Sequence, residues 1–91
     1  AGWYLSLSEA LAAAQLHQQP VLVDFWASWC RNCQAMEATF RDPRVARRLE
    51  GYIKVKYRAE QLDDPETRLA LDYFGALGLP TYVVLQPGAL P

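Results

Sequence analysis

Cysteine, histidine and long apolar runs are scarce in this 91-residue chain, and each shortage excludes something. Two cysteines, three positions apart, are not the disulfide framework of a small secreted scaffold, which needs more of them spread along the chain. The single histidine, His17, leaves too few ligands for a zinc site, which takes about four. No stretch reaches the ~18 apolar residues of a membrane span, and no signal peptide is visible at the N-terminus. A formal net charge of −1, with acids and bases mixed, gives no reason to expect nucleic acid or an anionic membrane as partner. The densest basic patch, residues 44–48, reads as the wet face of a short helix. Linkers, repeats and low-complexity segments are absent. Compartment stays open, because a domain of a larger secreted or membrane protein would have the same composition.

What is present is core. Apolar residues make up 52% of the chain and aromatics 12%, which excludes disorder and suffices for one domain, residues 1–91. Trp3, Tyr4 and Leu5 fit a brief first strand. Ser6-Leu7-Ser8-Glu9 has the Ser-x-x-Glu spacing of a capping box, and Leu7, Ala10, Leu11 and Ala14 follow at helical period. Gln18-Gln19-Pro20 ends that helix. Residues 21–27 are β-branched and aromatic, the pattern of a strand covered on both faces. A second helix should start near Cys30 and run through Met36 and Phe40. Asp42-Pro43 restarts a short helix, with Gly51 expected as its left-handed cap.

Residues 52–58 alternate, with Ile53, Val55 and Tyr57 on one face and Lys54, Lys56 and Arg58 on the other. Asp63-Asp64-Pro65-Glu66 opens a further helix whose expected buried stripe is Leu69, Ala70, Tyr73, Phe74 and Leu77, broken by Gly75 and Gly78. Residues 81–85 form a fourth strand before Pro87-Gly88. The order β-α-β-α-(α)-β-α-β predicts an α/β layer fold with parallel strands joined by right-handed crossovers.

The chemistry sits in Val21-Leu22-Val23-Asp24-Phe25-Trp26-Ala27-Ser28-Trp29-Cys30-Arg31-Asn32-Cys33. A Cys-x-x-Cys between a strand and a helix reads as a dithiol/disulfide redox site. Residues i and i+3 share a helix side, so the two sulfurs can meet across the first turn. The positive end of the helix and Arg31 favour a thiolate at Cys30, which makes it the expected nucleophile and Cys33 the resolving thiol. Half a zinc site and a pair of inert buried thiols are the blander alternatives.

Asp24 is a carboxylate inside an apolar strand. Either that side of the strand meets water, or Asp24 is a buried acid of raised pKa that takes a proton from Cys33. Glu37 stands four residues beyond Cys33 on the same face, and four before Arg41 in the orientation of an ordinary surface pair; both readings stay open. Trp29 is expected as an apolar wall beside the thiolate, Trp26 as core, and His17 as a solvated residue at a helix end. The isomer of the Leu79-Pro80 bond cannot be read from these residues.

Val-Asp-Phe-Trp-Ala-x-Trp-Cys-x-x-Cys, followed some fifty residues later by Gly-Leu-Pro-Thr, resembles the thioredoxin-fold oxidoreductases over nearly the whole chain. That resemblance implies a thioredoxin-like fold with a central mixed sheet flanked by helices, a cis Pro80 against the Cys30–Cys33 pair, and a Leu79 backbone free to bind an extended substrate segment. It also implies that Asp24 is the buried proton acceptor. Arg31-Asn32 between the cysteines and Gln34 after them depart from thioredoxin. The run from Cys30 through Phe40-Arg41-Asp42-Pro43-Arg44-Val45 is instead similar to the C-terminal domains of the DsbD family, which have acids matching both Asp24 and Glu37. The fold normally closes with a final strand and helix after Leu85, and both are expected to be missing from this chain.

The expected function is thiol–disulfide exchange by a disulfide reductase or electron-relay domain. Cys30, Cys33, Asp24 and Glu37 would be catalytic, with Trp29, Leu79 and Pro80 binding the substrate. Expected partners are protein thiols and disulfides, with no nucleic acid, no metal and no organic cofactor. The DsbD resemblance implies a place in a larger membrane-embedded reductase on the periplasmic side, against a cytoplasmic alternative. A free-standing thioredoxin-like reductase, serving cytochrome maturation or general thiol reduction, is the second reading. A non-catalytic docking module and a metal-binding module are further ones.

Overall fold

A computed structural model describes residues 2–88. Its elements run β1 (Trp3–Tyr4), α1 (Leu7–His17), β2 (Val21–Trp26), α2 (Arg31–Arg41), α3 (Pro43–Arg48), β3 (Ile53–Arg58), α4 (Pro65–Tyr73) and β4 (Thr81–Leu85). The strands form one sheet in the order β1-β3-β2-β4. Strand β3 pairs parallel to both β1 and β2, as the crossover pattern predicts. Strand β4 is antiparallel to β2, so the sheet is mixed, as the family resemblance implies, and the parallel pattern read from element order alone stops at that edge. The reason is the connection. Only a short loop, residues 74–80, separates the end of α4 from β4, and the chain turns back along β2 without another crossover. The expected closing strand and helix lie outside the described residues.

Strand β2 is central and buried from Val21 to Phe25. Its odd-numbered side chains, Val21, Val23 and Phe25, pack with Val55 of β3, Ala10 and Ala14 of α1, and Leu71 of α4. Phe25 is flanked by the rings of Tyr57, at 5.0 Å, and Phe74, at 5.9 Å. Small alanines on α1 let that helix approach the sheet closely, and Val and Phe fill the pleats. The even-numbered face of β2, carrying Asp24, turns toward α2. The sheet therefore holds a dry core on one side and its ionisable groups on the other.

Helix ends follow the sequence grammar with two corrections. Ser6 Oγ accepts from the Glu9 amide, Asp42 Oδ1 from the Arg44 amide and Asp64 Oδ2 from the Thr67 amide, satisfying orphan donors at three helix starts. Gly51, however, is not a left-handed cap. Helix α3 ends instead at Leu49, whose amide reaches the carbonyls of Val45 and Ala46. The left-handed positions that follow helices are Gln18 (φ 52) after α1 and Gly75 (φ 69) after α4. At the latter, Gly75 N–H donates to Asp72 and Ala76 N–H to Leu71, a Schellman closure that suits a residue without Cβ.

The second correction concerns α4. Leu69, Tyr73 and Leu77 are exposed, not buried; Thr67 and Leu71 are the inward residues, with Ala70 and Phe74 packed beside them. Apolar residues occupy more than one face of this helix, so periodicity alone could not choose the phase.

Candidate active site

Cys30 is the N-cap of α2, in an extended conformation (φ −86, ψ 110), and α2 proper begins at Arg31. Its Sγ accepts a hydrogen bond from the Cys33 amide at 3.1 Å, so sulfur takes the place that a serine or aspartate oxygen usually fills at a helix start. A sulfur that receives an amide at the positive end of a helix is stabilised as thiolate. Cys30 and Cys33 form a disulfide across a Cα–Cα distance of 5.2 Å. Both are buried against Ala27, with Trp26 and Leu79 packed on the cluster.

The loop that delivers Cys30 is pinned by Glu60, which follows β3. Its Oε1 accepts from the Ser28 amide and its Oε2 from Ser28 Oγ at 2.9 Å. The Glu60 carbonyl takes the Trp29 indole N–H at 3.0 Å, and Gln34 of α2 donates to the Ser28 carbonyl. The Ser28 amide, then the Arg58 guanidinium, hold the Glu60 carboxyl below the ordinary carboxylate range. Trp29 is 54% exposed, anchored by its indole N–H and not by burial.

The Leu79-Pro80 peptide bond is cis. Leu79 lies against the cysteine cluster, and among the described residues its own N–H and C=O make no backbone hydrogen bond. An extended partner segment could therefore pair with this backbone beside the sulfurs. Thr81 Oγ1 donates to the Gly78 carbonyl, which closes the turn.

Strand β2 leads into the cysteine loop and α2 follows it, and between the two lies a charged group that the sequence only half revealed. Asp24 is 3% exposed. Its Oδ2 stands 3.6 Å from Lys56 Nζ, and its Oδ1 has no hydrogen-bond partner among the described residues. Burial pushes the Asp24 carboxyl up; Lys56 pulls against this, and the nearby Glu37 charge adds to the rise. Glu37 pairs with the same ammonium, not with Arg41. Tyr82, opposite Asp24 on β4, has its phenol pushed up to about 12 by burial and by the two carboxylates, so it stays neutral.

Lys56 and Glu60 are the residues that sequence reasoning missed. The alternation puts Lys56 on the face opposite Ile53, Val55 and Tyr57 without giving it a role, and its side chain there is only 15% exposed. The signal was its alternation phase: a carboxylate in a buried strand calls for an inward cation on a neighbouring one, and Lys56 is the register partner of Asp24. For Glu60 the sequence carries no signal, since it lies in a loop 32 residues from Ser28.

A family model described as thioredoxin-like matches residues 2–87. The chain is 34% identical over 83 residues to the thiol:disulfide interchange protein DsbD 1 of Pseudomonas aeruginosa, a match that covers 90% of this chain and 14% of that protein. It therefore spans about a seventh of the length of that curated relative. Among solved structures it resembles a thioredoxin from Thermus thermophilus (TM-score 0.76, 37% identity, 96% of this chain and 65% of that one). It also resembles the reduced C-terminal domain of DsbD from Neisseria meningitidis (TM-score 0.76, 29% identity, 88% and 71%). A Cys-x-x-Cys disulfide capping a helix, in a fold of this kind, is a site of thiol–disulfide exchange. The chain belongs to the thioredoxin-like family.

Proposed function

We propose that this domain is a disulfide reductase of the DsbD C-terminal type, relaying electron pairs between protein partners. The observation that carries the proposal is the pair of acids, Asp24 and Glu37, gathered on one lysine from the strand that precedes Cys30 and the helix that carries Cys33. In the reducing direction the Cys30 thiolate attacks a partner disulfide. The partner's S–S bond breaks, a mixed disulfide forms and one partner thiolate leaves. Cys33 then gives its proton to Asp24 and attacks Cys30 Sγ, releasing the second partner thiolate and closing the Cys30–Cys33 bond. Two electrons have passed to the partner. Exchange with a donor dithiol restores the reduced pair, so no organic cofactor or metal enters the cycle.

The Leu79 backbone supports docking of an extended partner segment, with Trp29 and Pro80 as its flanks. The DsbD relatives support a place in a larger membrane-embedded reductase, with this domain on the periplasmic side. No helix among the described residues is long and apolar enough to cross a membrane, so the membrane part would be separate from this domain. A Cys33→Ser variant, expressed in its native cell and recovered as mixed disulfides, tests the reading. Trapping of a membrane-embedded donor or an extracytoplasmic acceptor is the expected result. Trapping of cytoplasmic proteins alone would favour a free-standing reductase.

A further inference from the structure

Strand β1 contains two residues, and one of them reaches the Lys56 group between Asp24 and Glu37. The Trp3 ring centroid lies 5.3 Å from Lys56 Nζ, that of Trp26 5.5 Å and that of Phe40 5.9 Å. All three fall inside the ~6 Å at which a ring face attracts a cation. They come from three different elements and brace one another. Trp3 meets Phe40 edge-on at 5.1 Å, Phe40 meets Tyr82 edge-on at 5.7 Å, and the Arg58 guanidinium lies 5.4 Å from the Trp26 ring.

The charged and titratable groups around the ammonium are Asp24 from β2, Glu37 from α2 and, beyond Phe40, Tyr82 from β4; Lys54 and Arg58 flank it along β3. Of its two anionic partners, Glu37 is 39% exposed and Asp24 only 4% by side chain. A lysine on a flexible four-carbon stem favours the wetter partner, where its ammonium keeps more water. Ring faces that exclude water, while themselves attracting the cation, remove that preference.

We propose that Trp3 and Phe40 are positioning residues: with Trp26 they wall the Lys56 ammonium into the gap between Asp24 and Glu37, so that Asp24 keeps a counter-charge. For catalysis this rests on Asp24 being the proton acceptor, and the test separates the two claims. Trp3→Leu, Phe40→Leu and the conservative Trp3→Phe are made alone and combined with Lys56→Met. Asp24 is titrated by carboxyl carbon NMR in the oxidised protein, and the pH dependence of exchange is measured on the reduced one.

Each leucine variant should raise the pH at which Asp24 titrates by roughly 0.5 unit. Trp3→Phe should give a smaller rise in the same direction, which keeps the test alive if a leucine variant fails to fold. Adding either leucine to Lys56→Met should produce no further shift. An unmoved or lowered titration would overturn the proposal, as would an equal shift with Lys56 absent. A shifted titration with an unmoved rate profile would uphold the wall and remove Asp24 from the reaction.

Discussion

Asp24 and Lys56 face each other across neighbouring parallel strands, with the ammonium 3.6 Å from one carboxylate oxygen and no partner on the other among the described residues. An acid so placed can take up a proton at its free oxygen while the lysine holds the first. Replacing Asp24 with Asn should slow release of the mixed disulfide at neutral pH by about 100-fold or more, the usual scale of a lost general base. Stopped-flow exchange across pH checks it. An unchanged profile would make Asp24 structural.

The same burial makes a stability prediction with a definite sign. The native pKa of Asp24 is raised above the ordinary 3.8, so the folded chain binds the proton more tightly than the unfolded one. The favourable contribution is complete below 3.8 and is lost as pH rises through the native value. Each unit of rise removes about 1.4 kcal/mol. Denaturant unfolding of oxidised Asp24→Asn should therefore show a gain over the parent that is absent near pH 3 and full at pH 8. A gain that did not depend on pH would contradict the assignment.

The two sulfurs have unequal surroundings, and their variants should differ accordingly. Cys30 carries the Cys33 amide at the helix start, so Cys30→Ser should abolish reduction of a protein disulfide. Cys33→Ser should still consume one equivalent of disulfide and stop at the mixed species. Mass spectrometry distinguishes the two; multiple turnovers by Cys30→Ser would refute the order of attack.

Glu60 holds Ser28 and Trp29 in place from outside the motif. Glu60→Ala should release the Ser28 amide and hydroxyl, while the Trp29 indole keeps the main-chain carbonyl of residue 60, and misplace Cys30 enough to slow stopped-flow exchange by up to about 100-fold. Little change in that rate would mean that Gln34 alone fixes the loop.

Much of this arrangement was legible in the sequence. The eight elements and the caps at Ser6, Asp42 and Asp64 follow from period and residue type, whereas the burial of Asp24 was one of two open readings and followed only from the family resemblance. What stayed hidden depends on facts that become visible only when strands are paired. The direction of β4 was one such fact, and the inward phase of Lys56 another. The buried face of α4 was misread because Leu69, Tyr73 and Leu77 are apolar yet point to solvent. Glu37 could be weighed only once Lys56 replaced Arg41 as its partner.

The central claim is that Cys30 and Cys33 act as a reducing pair, and their reduction potential tests it most directly. The Lys56 group has one carboxylate in excess of its cation, and on the proposed reading it opposes a cysteine thiolate and favours the disulfide, whereas the helix start and Arg31 favour the thiolate. With the acids prevailing, equilibration against glutathione should give a value near the roughly −270 mV of thioredoxin. A value near the roughly −120 mV of a strong oxidant such as DsbA would contradict the account and make this domain a donor of disulfides.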